Sequence, residues 1–142
     1  MFNLRYASCA LLTGALVHLI ALYLGPNALD FLGAPVEVVH SARDGTYLAP
    51  ISTIAIAAFL TFLSYLTVKQ KRGKIARLFL VLCAGVFIVR GLMVVLLVPV
   101  IAQGIPDGQS VKVWFHVFLS LVVLSIGVAI ARGLYIGSKD LY

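Results

Sequence analysis

The run from Ile75 to Ala102 carries only two charged side chains, Arg77 and Arg90, and what lies between them is apolar or small. Such a run is long enough to cross the ~30 Å hydrocarbon core of a bilayer, which takes about 20 residues of helix. Three more blocks have the same character: Tyr6 to Leu24, Pro50 to Val68 and Val113 to Leu134. In lipid a chain must satisfy its own backbone polar groups, so each block predicts a transmembrane helix. The expected fold class is all-α, an integral-membrane four-helix bundle forming one transmembrane domain over residues 1–142. Its helices are expected at about 6–24, 50–68, 75–102 and 113–134, with an outer loop over 25–49. Composition points the same way: 62% of residues are hydrophobic and 11% charged, against about 25% charged in soluble domains. A soluble chain of this kind lacks the polar residues to cover its surface, and the four blocks leave no room for a separate soluble domain.

The formal charge of +6 raises the question of a nucleic-acid partner. Lys69, Lys71, Arg72, Lys74 and Arg77 crowd between the second and third blocks, without a folded platform or the interleaved aromatics that such a surface needs. No nucleic acid is expected. The cluster is instead a topology signal, because Lys and Arg are retained on the cytoplasmic side of short loops. Arg5, Arg132 and Lys139 fall on that side if the helices alternate, while Asp30, Glu37, Arg43, Asp44, Asp107 and Lys112 fall on the other. The expected topology is N-in and C-in, in a bacterial inner (cytoplasmic) membrane. Tyr6, Tyr65 and Tyr135 lie near the inner ends and Tyr23, Tyr47 and Trp114 near the outer ends, the headgroup level that amphipathic rings prefer.

The first block exceeds the apolar stretch of a signal peptide, about 7–15 residues, and no small-x-small site follows at Leu24-Gly25-Pro26-Asn27. It reads as a retained helix. Cys9 and Cys83 fall in cytoplasmic halves, where a reducing compartment disfavours a disulfide, and are expected to be packing residues. Gly25-Pro26 ends the first helix. Ala28 to Leu32 is apolar enough to lie in the interface, and Val36 to His40 forms a short helix or strand. Ser41 to Asp44 has the spacing of a capping box, so the second helix starts either there, with a kink at Pro50, or at Pro50 itself. Gln103 to Ser110 is a short turn-rich connection. Stripes of small or weakly polar residues (Ala10, Gly14 and His18; Thr53, Ala57, Thr61 and Ser64; His116, Ser120, Gly127 and Ala131) predict close helix packing.

Arg90 is the most informative residue. A charge near the middle of a span costs about 2.5–3.5 kcal/mol even on a lenient scale, so it is expected to face the bundle interior or a wet cavity. Either helix carbonyls or an outer-loop carboxylate satisfy it, or it holds an anionic group. No span has an Asp or Glu in its middle, so the counter-charge must come from Glu37, Asp44 or another outer-loop acid, or from a ligand. The same absence argues against a proton-coupled exporter. His18 and His116 lie in the outer halves of the first and fourth helices. They are packing residues or, together, ligands of a haem or metal. Against zinc there is no tight ligand spacing, and against ordinary enzyme chemistry there is no phosphate loop, nucleophile elbow or His-Glu-x-x-His.

The layout resembles DoxX-like small bacterial membrane proteins. The likeness rests on a first helix ending near His18, a loop closing with Ser-Ala-Arg-Asp-Gly-Thr-Tyr-Leu at 41–48, a basic turn, and a third helix bearing Val89-Arg90-Gly91-Leu92. The resemblance implies a four-helix fold and maps the Arg and Gly that open the second helix in such families onto Arg43 and Gly45. The extended outer loop and Pro50 depart from that pattern.

Two functional expectations follow. One is a non-enzymatic accessory subunit, or a binder of an anionic or carbonyl-bearing lipid or quinone, in an outward-facing cavity formed by Arg90, His18 and His116 and closed by Glu37, Arg43 and Asp44. A membrane-protein partner or a homo-oligomer belongs to the same expectation. The alternative is a redox protein or enzyme using haem, metal or quinone at the His18, His116 and Arg90 cluster.

Overall fold

Six helices, and no strand, make up the described part of the chain. The computed structural model describes residues 2–69, 73–103 and 110–139. Lys71 and Arg72 of the basic connection, Asp107, and most of the turn expected between Gln103 and Ser110 lie outside the described residues. The helices are α1 (Phe2–Leu24), α2 (Pro26–Phe31), α3 (Val36–Arg43), α4 (Leu48–Val68), α5 (Lys74–Gln103) and α6 (Ser110–Lys139). Four of them, α1, α4, α5 and α6, are long and apolar enough to cross a membrane. Large apolar side chains such as Leu16, Ile20, Ile51, Val86, Leu96 and Phe118 are exposed along all four. A helix that is apolar all round has no water-facing side to offer, and lipid is the solvent that tolerates it.

The chain divides into two compact units, one of Met1–Ser8 with Leu66–Tyr142 and the other of Cys9–Tyr65. In the first, α5 and α6 run antiparallel and pack along their length. Glycines set the approach. A Cβ on Gly91 would stand 2.5 Å from Leu124 Cβ and 3.0 Å from the Ser120 carbonyl oxygen, and one on Gly127 would stand 3.0 Å from the Ala84 carbonyl oxygen. Small residues let two backbones meet where lipid gives no hydrophobic drive to association. At the far end of the pair an Arg77 Nη donates to the Leu134 carbonyl at 3.4 Å. Leu4, in the first turns of α1, packs on Gly133 of α6. Ser125 donates to the Val122 carbonyl at 2.7 Å and accepts from Tyr6 OH at 2.7 Å. The start of α1, the start of α5 and the end of α6 therefore share one end of this unit, and that end carries Arg5, Lys74, Arg77 and Arg132.

In the second unit the segment expected as an outer loop is folded. Gly25, at φ +95°, ends α1, and its carbonyl accepts from the amides of Ala28 and Leu29 at the start of α2. Pro26 takes the first helical position, where a missing N–H costs nothing. α2 closes in a Schellman motif: Gly33 adopts φ +80°, Gly33 N bonds the Asp30 carbonyl, and Ala34 N reaches back to the Leu29 carbonyl. α3 closes with the same reach-back bond, Thr46 N to the Ser41 carbonyl at 2.9 Å, beside Gly45 at φ +68°. Ala21, Leu29, Val39 and Ala49 form a small apolar core under the two short helices.

The choice left open for the second long helix resolves close to the Pro50 alternative, two residues earlier. α3 ends at Arg43, α4 begins at Leu48, and Pro50 sits in its first turn. Ser41 does cap a helix, although not as a capping box. Its buried hydroxyl accepts from Ala49 N at 2.9 Å and from the Thr46 hydroxyl at 2.7 Å, and donates to the Thr46 carbonyl at 3.2 Å. One of the four orphan amides at the start of α4 is thereby satisfied from the preceding helix. Among the expected small-residue stripes, Thr53, Ala57, Ser64, Ser120 and Gly127 are buried, whereas Thr61 and Ala131 are exposed.

Candidate functional site

The turn of α5 around its own axis decides where Arg90 goes. Gly91 faces α6, and successive residues of an α-helix are about 100° apart. Arg90 is therefore swung off the α5–α6 contact, and it is exposed. The position facing α6 on this turn belongs to glycine, because only glycine fits against Leu124. Arg90 lies in a shallow groove of about 700 Å³ along α5, and the other lining residues, among them Val81, Val86, Val89, Met93 and Leu97, are all apolar or glycine. The lining supplies no side-chain acceptor for the guanidinium.

His116, in the same unit, lies on α6 one helical turn beyond Ser120, which flanks Gly91. It is half-buried, its ring stands edge-on to Phe115 at 6.0 Å between centroids, and its carbonyl accepts the Ser120 hydroxyl at 2.8 Å. The other candidates belong to the unit of Cys9–Tyr65. His18 is half-buried, with Nδ1 at 2.8 Å from the Gly14 carbonyl. A carbonyl only accepts, so Nδ1 carries the proton, and in the neutral ring Nε2 is left as an acceptor. Glu37, in the first turn of α3, and Arg43, in its last, are exposed, as is Asp44 just beyond. The six candidates thus fall into two sets, Arg90 with His116 on α5 and α6, and His18, Glu37, Arg43 and Asp44 in the other unit. Among the described residues no group of three or more His, Cys, Asp and Glu is placed to hold a metal ion.

A second groove, of about 380 Å³, lies between α5 and α6 near Arg77 and Tyr135. Sequence reasoning assigned Arg77 to topology alone. The signal it passed over is that Arg77, Ala84 and Ala131 combine a charge with small residues on two neighbouring helices.

No protein-family model matches the chain, and neither a curated protein nor a solved structure is significantly similar to it.

Proposed function

We propose that this chain is a four-span protein of the bacterial inner membrane, with both termini in the cytoplasm, that binds an anionic or carbonyl-bearing amphiphile, a lipid or quinone, at Arg90 without catalysing a reaction. The observation that carries this reading is the Arg90 groove: a guanidinium on an apolar helix face whose lining offers it no acceptor. A cation in hydrocarbon needs a partner, and an anionic or carbonyl head group supplies one while its tail occupies the apolar remainder. The grouping of Arg5, Lys74, Arg77 and Arg132 at one end of a unit supports the topology. The layout-level resemblance to DoxX-like proteins belongs to the same proposal.

Native mass spectrometry of the detergent-solubilised full chain tests the ligand. The wild type is expected to carry a co-purifying amphiphile that Arg90→Leu reduces about tenfold, and Arg90→Lys is expected to restore it in part, because a point charge does not reproduce the planar fork. Equal ligand on wild type and Arg90→Leu would refute the assignment. For the topology, reporter fusions after Pro26, Gly73, Gly108 and Tyr142 should read outside, inside, outside and inside. Inversion at Gly73 would overturn it.

A further inference from the structure

We propose that the groove between α5 and α6 at the basic end binds one anionic glycerophospholipid, with the phosphate at Arg77 and an acyl chain along Val81, Ala84, Gly85 and Ala131. This site differs from the one at Arg90 in its arginine and in being lined by both helices, and the two share only Val81 and Gly85 as walls.

The lining is graded. Arg77 and Tyr135 are the polar members, and they sit toward the basic end of the pair; the rest of the wall is apolar or glycine. That profile fits a molecule with one polar end and one hydrocarbon end. A soluble anion gains nothing from the apolar length, and a zwitterionic lipid brings no net charge to meet the cation. Small residues make the room: a Cβ on Gly85 would meet nothing within 4 Å, and Ala84 and Ala131 keep both helices low beside it. Arg77 is exposed and spends one N–H on a long 3.4 Å bond to the Leu134 carbonyl, which leaves four of its five donors for a phosphate. Tyr135 is 63% exposed at the same level, where a phenol suits the headgroup region.

The charge on α5 and α6 themselves has one sign, and Asp140, the next residue after α6, lies outside the described residues. Lys74 precedes Arg77 by one turn, Arg132 precedes Tyr135 on α6, and no Asp or Glu occurs from Gly45 to Pro106 or from Gly108 to Lys139. The positive dipole end at the start of α5 is opposed by the negative end of α6, so the side chains carry the charge argument. Basic pockets between transmembrane helices are suited to anionic head groups for this reason. Nothing acidic on α5 or α6 competes for Arg77.

The test is native mass spectrometry on the full-length protein in detergent, titrated with phosphatidylglycerol or with phosphatidylcholine at equal concentration. One phosphatidylglycerol should be retained in preference to phosphatidylcholine. Arg77→Gln should lower its retention about fivefold, the factor for roughly one basic residue at a membrane surface, and Arg77→Lys should keep most of it. Ala131→Leu fills the groove from an exposed position without changing charge, and should lower retention as much as Arg77→Gln does. The same comparison in an Arg90→Leu background should give the same loss of about fivefold on Arg77→Gln, so the two sites fail independently. Equal retention of the two lipids would overturn the proposal, as would wild-type retention by Ala131→Leu, since attraction would then be a general property of a basic surface. No further loss of phosphatidylglycerol on adding Arg77→Gln to Arg90→Leu would overturn the separateness of the site.

Discussion

The α5–α6 pair and the α2–α3 segment solve the same problem, holding two helices together, by opposite means. α5 and α6 meet through glycines at Gly91 and Gly127, backbone against side chain. α2 and α3 are short and are defined by how they end: left-handed glycines at Gly33 and Gly45, reach-back amide bonds, and a serine that caps the next helix. The first solution suits an apolar solvent, where backbone groups are already paired within each helix and only close packing distinguishes one neighbour from another. The second suits a setting where helix ends are frequent and every orphan amide or carbonyl needs a partner. The contrast predicts that substitutions in the pair act through volume and substitutions in the segment act through hydrogen bonds and backbone conformation.

Breaking the pair should have the largest effect. Gly91→Ala puts a methyl 2.5 Å from Leu124 Cβ and 3.0 Å from two backbone atoms, and backbone cannot be moved cheaply. A cost of about 3 kcal/mol is expected, at the upper end for overpacking, measurable as a fall in the unfolding midpoint in detergent; an unchanged midpoint would mean the helices are not in contact there. Ser41→Ala comes next. It strips the partner from the Ala49 amide in a buried site and should cost about 1–2 kcal/mol, with Ser41→Thr recovering part of it. Gly45→Ala forces an L side chain into φ +68°, for about 1 kcal/mol. Smallest is Tyr6→Phe, which removes one hydroxyl contact to Ser125. Helix-to-helix hydrogen bonds in membranes average about 0.6 kcal/mol. A Tyr6→Phe effect larger than that of Ser41→Ala would reverse the ranking that the comparison rests on.

The long helices were legible in the sequence as long apolar blocks with few charges, so Pro50 to Val68 and Ile75 to Ala102 fall within about two residues of α4 and α5. The ends were less legible where helix continues past the apolar block. α6 runs from Ser110 to Lys139 instead of Val113 to Leu134, because interfacial polar residues do not stop a helix whose backbone is already paired. The 25–49 segment hid its helices in ordinary residues; their boundaries depend on the backbone angles of Gly25, Gly33 and Gly45, which an apolar pattern does not report. Arg90 was recognised as special from its depth alone. Its direction was set by its neighbour, and a rule about the cost of charge in lipid contains no information on which side of a helix a glycine will claim.

The contact between Leu4 and Gly133 has a consequence for the timing of assembly. The two residues that close the start of α1 onto the end of α6 lie far apart in the chain, and a ribosome adding about 5–20 residues per second delivers the second roughly 6–25 s after the first. Through that interval the first turns of α1 are already made and have no mate. Tyr6 spends it without Ser125, and its phenol tolerates water where a purely aliphatic side chain would not. The docking of Gly133 onto Leu4 can then follow only once the long helices between them have been synthesised.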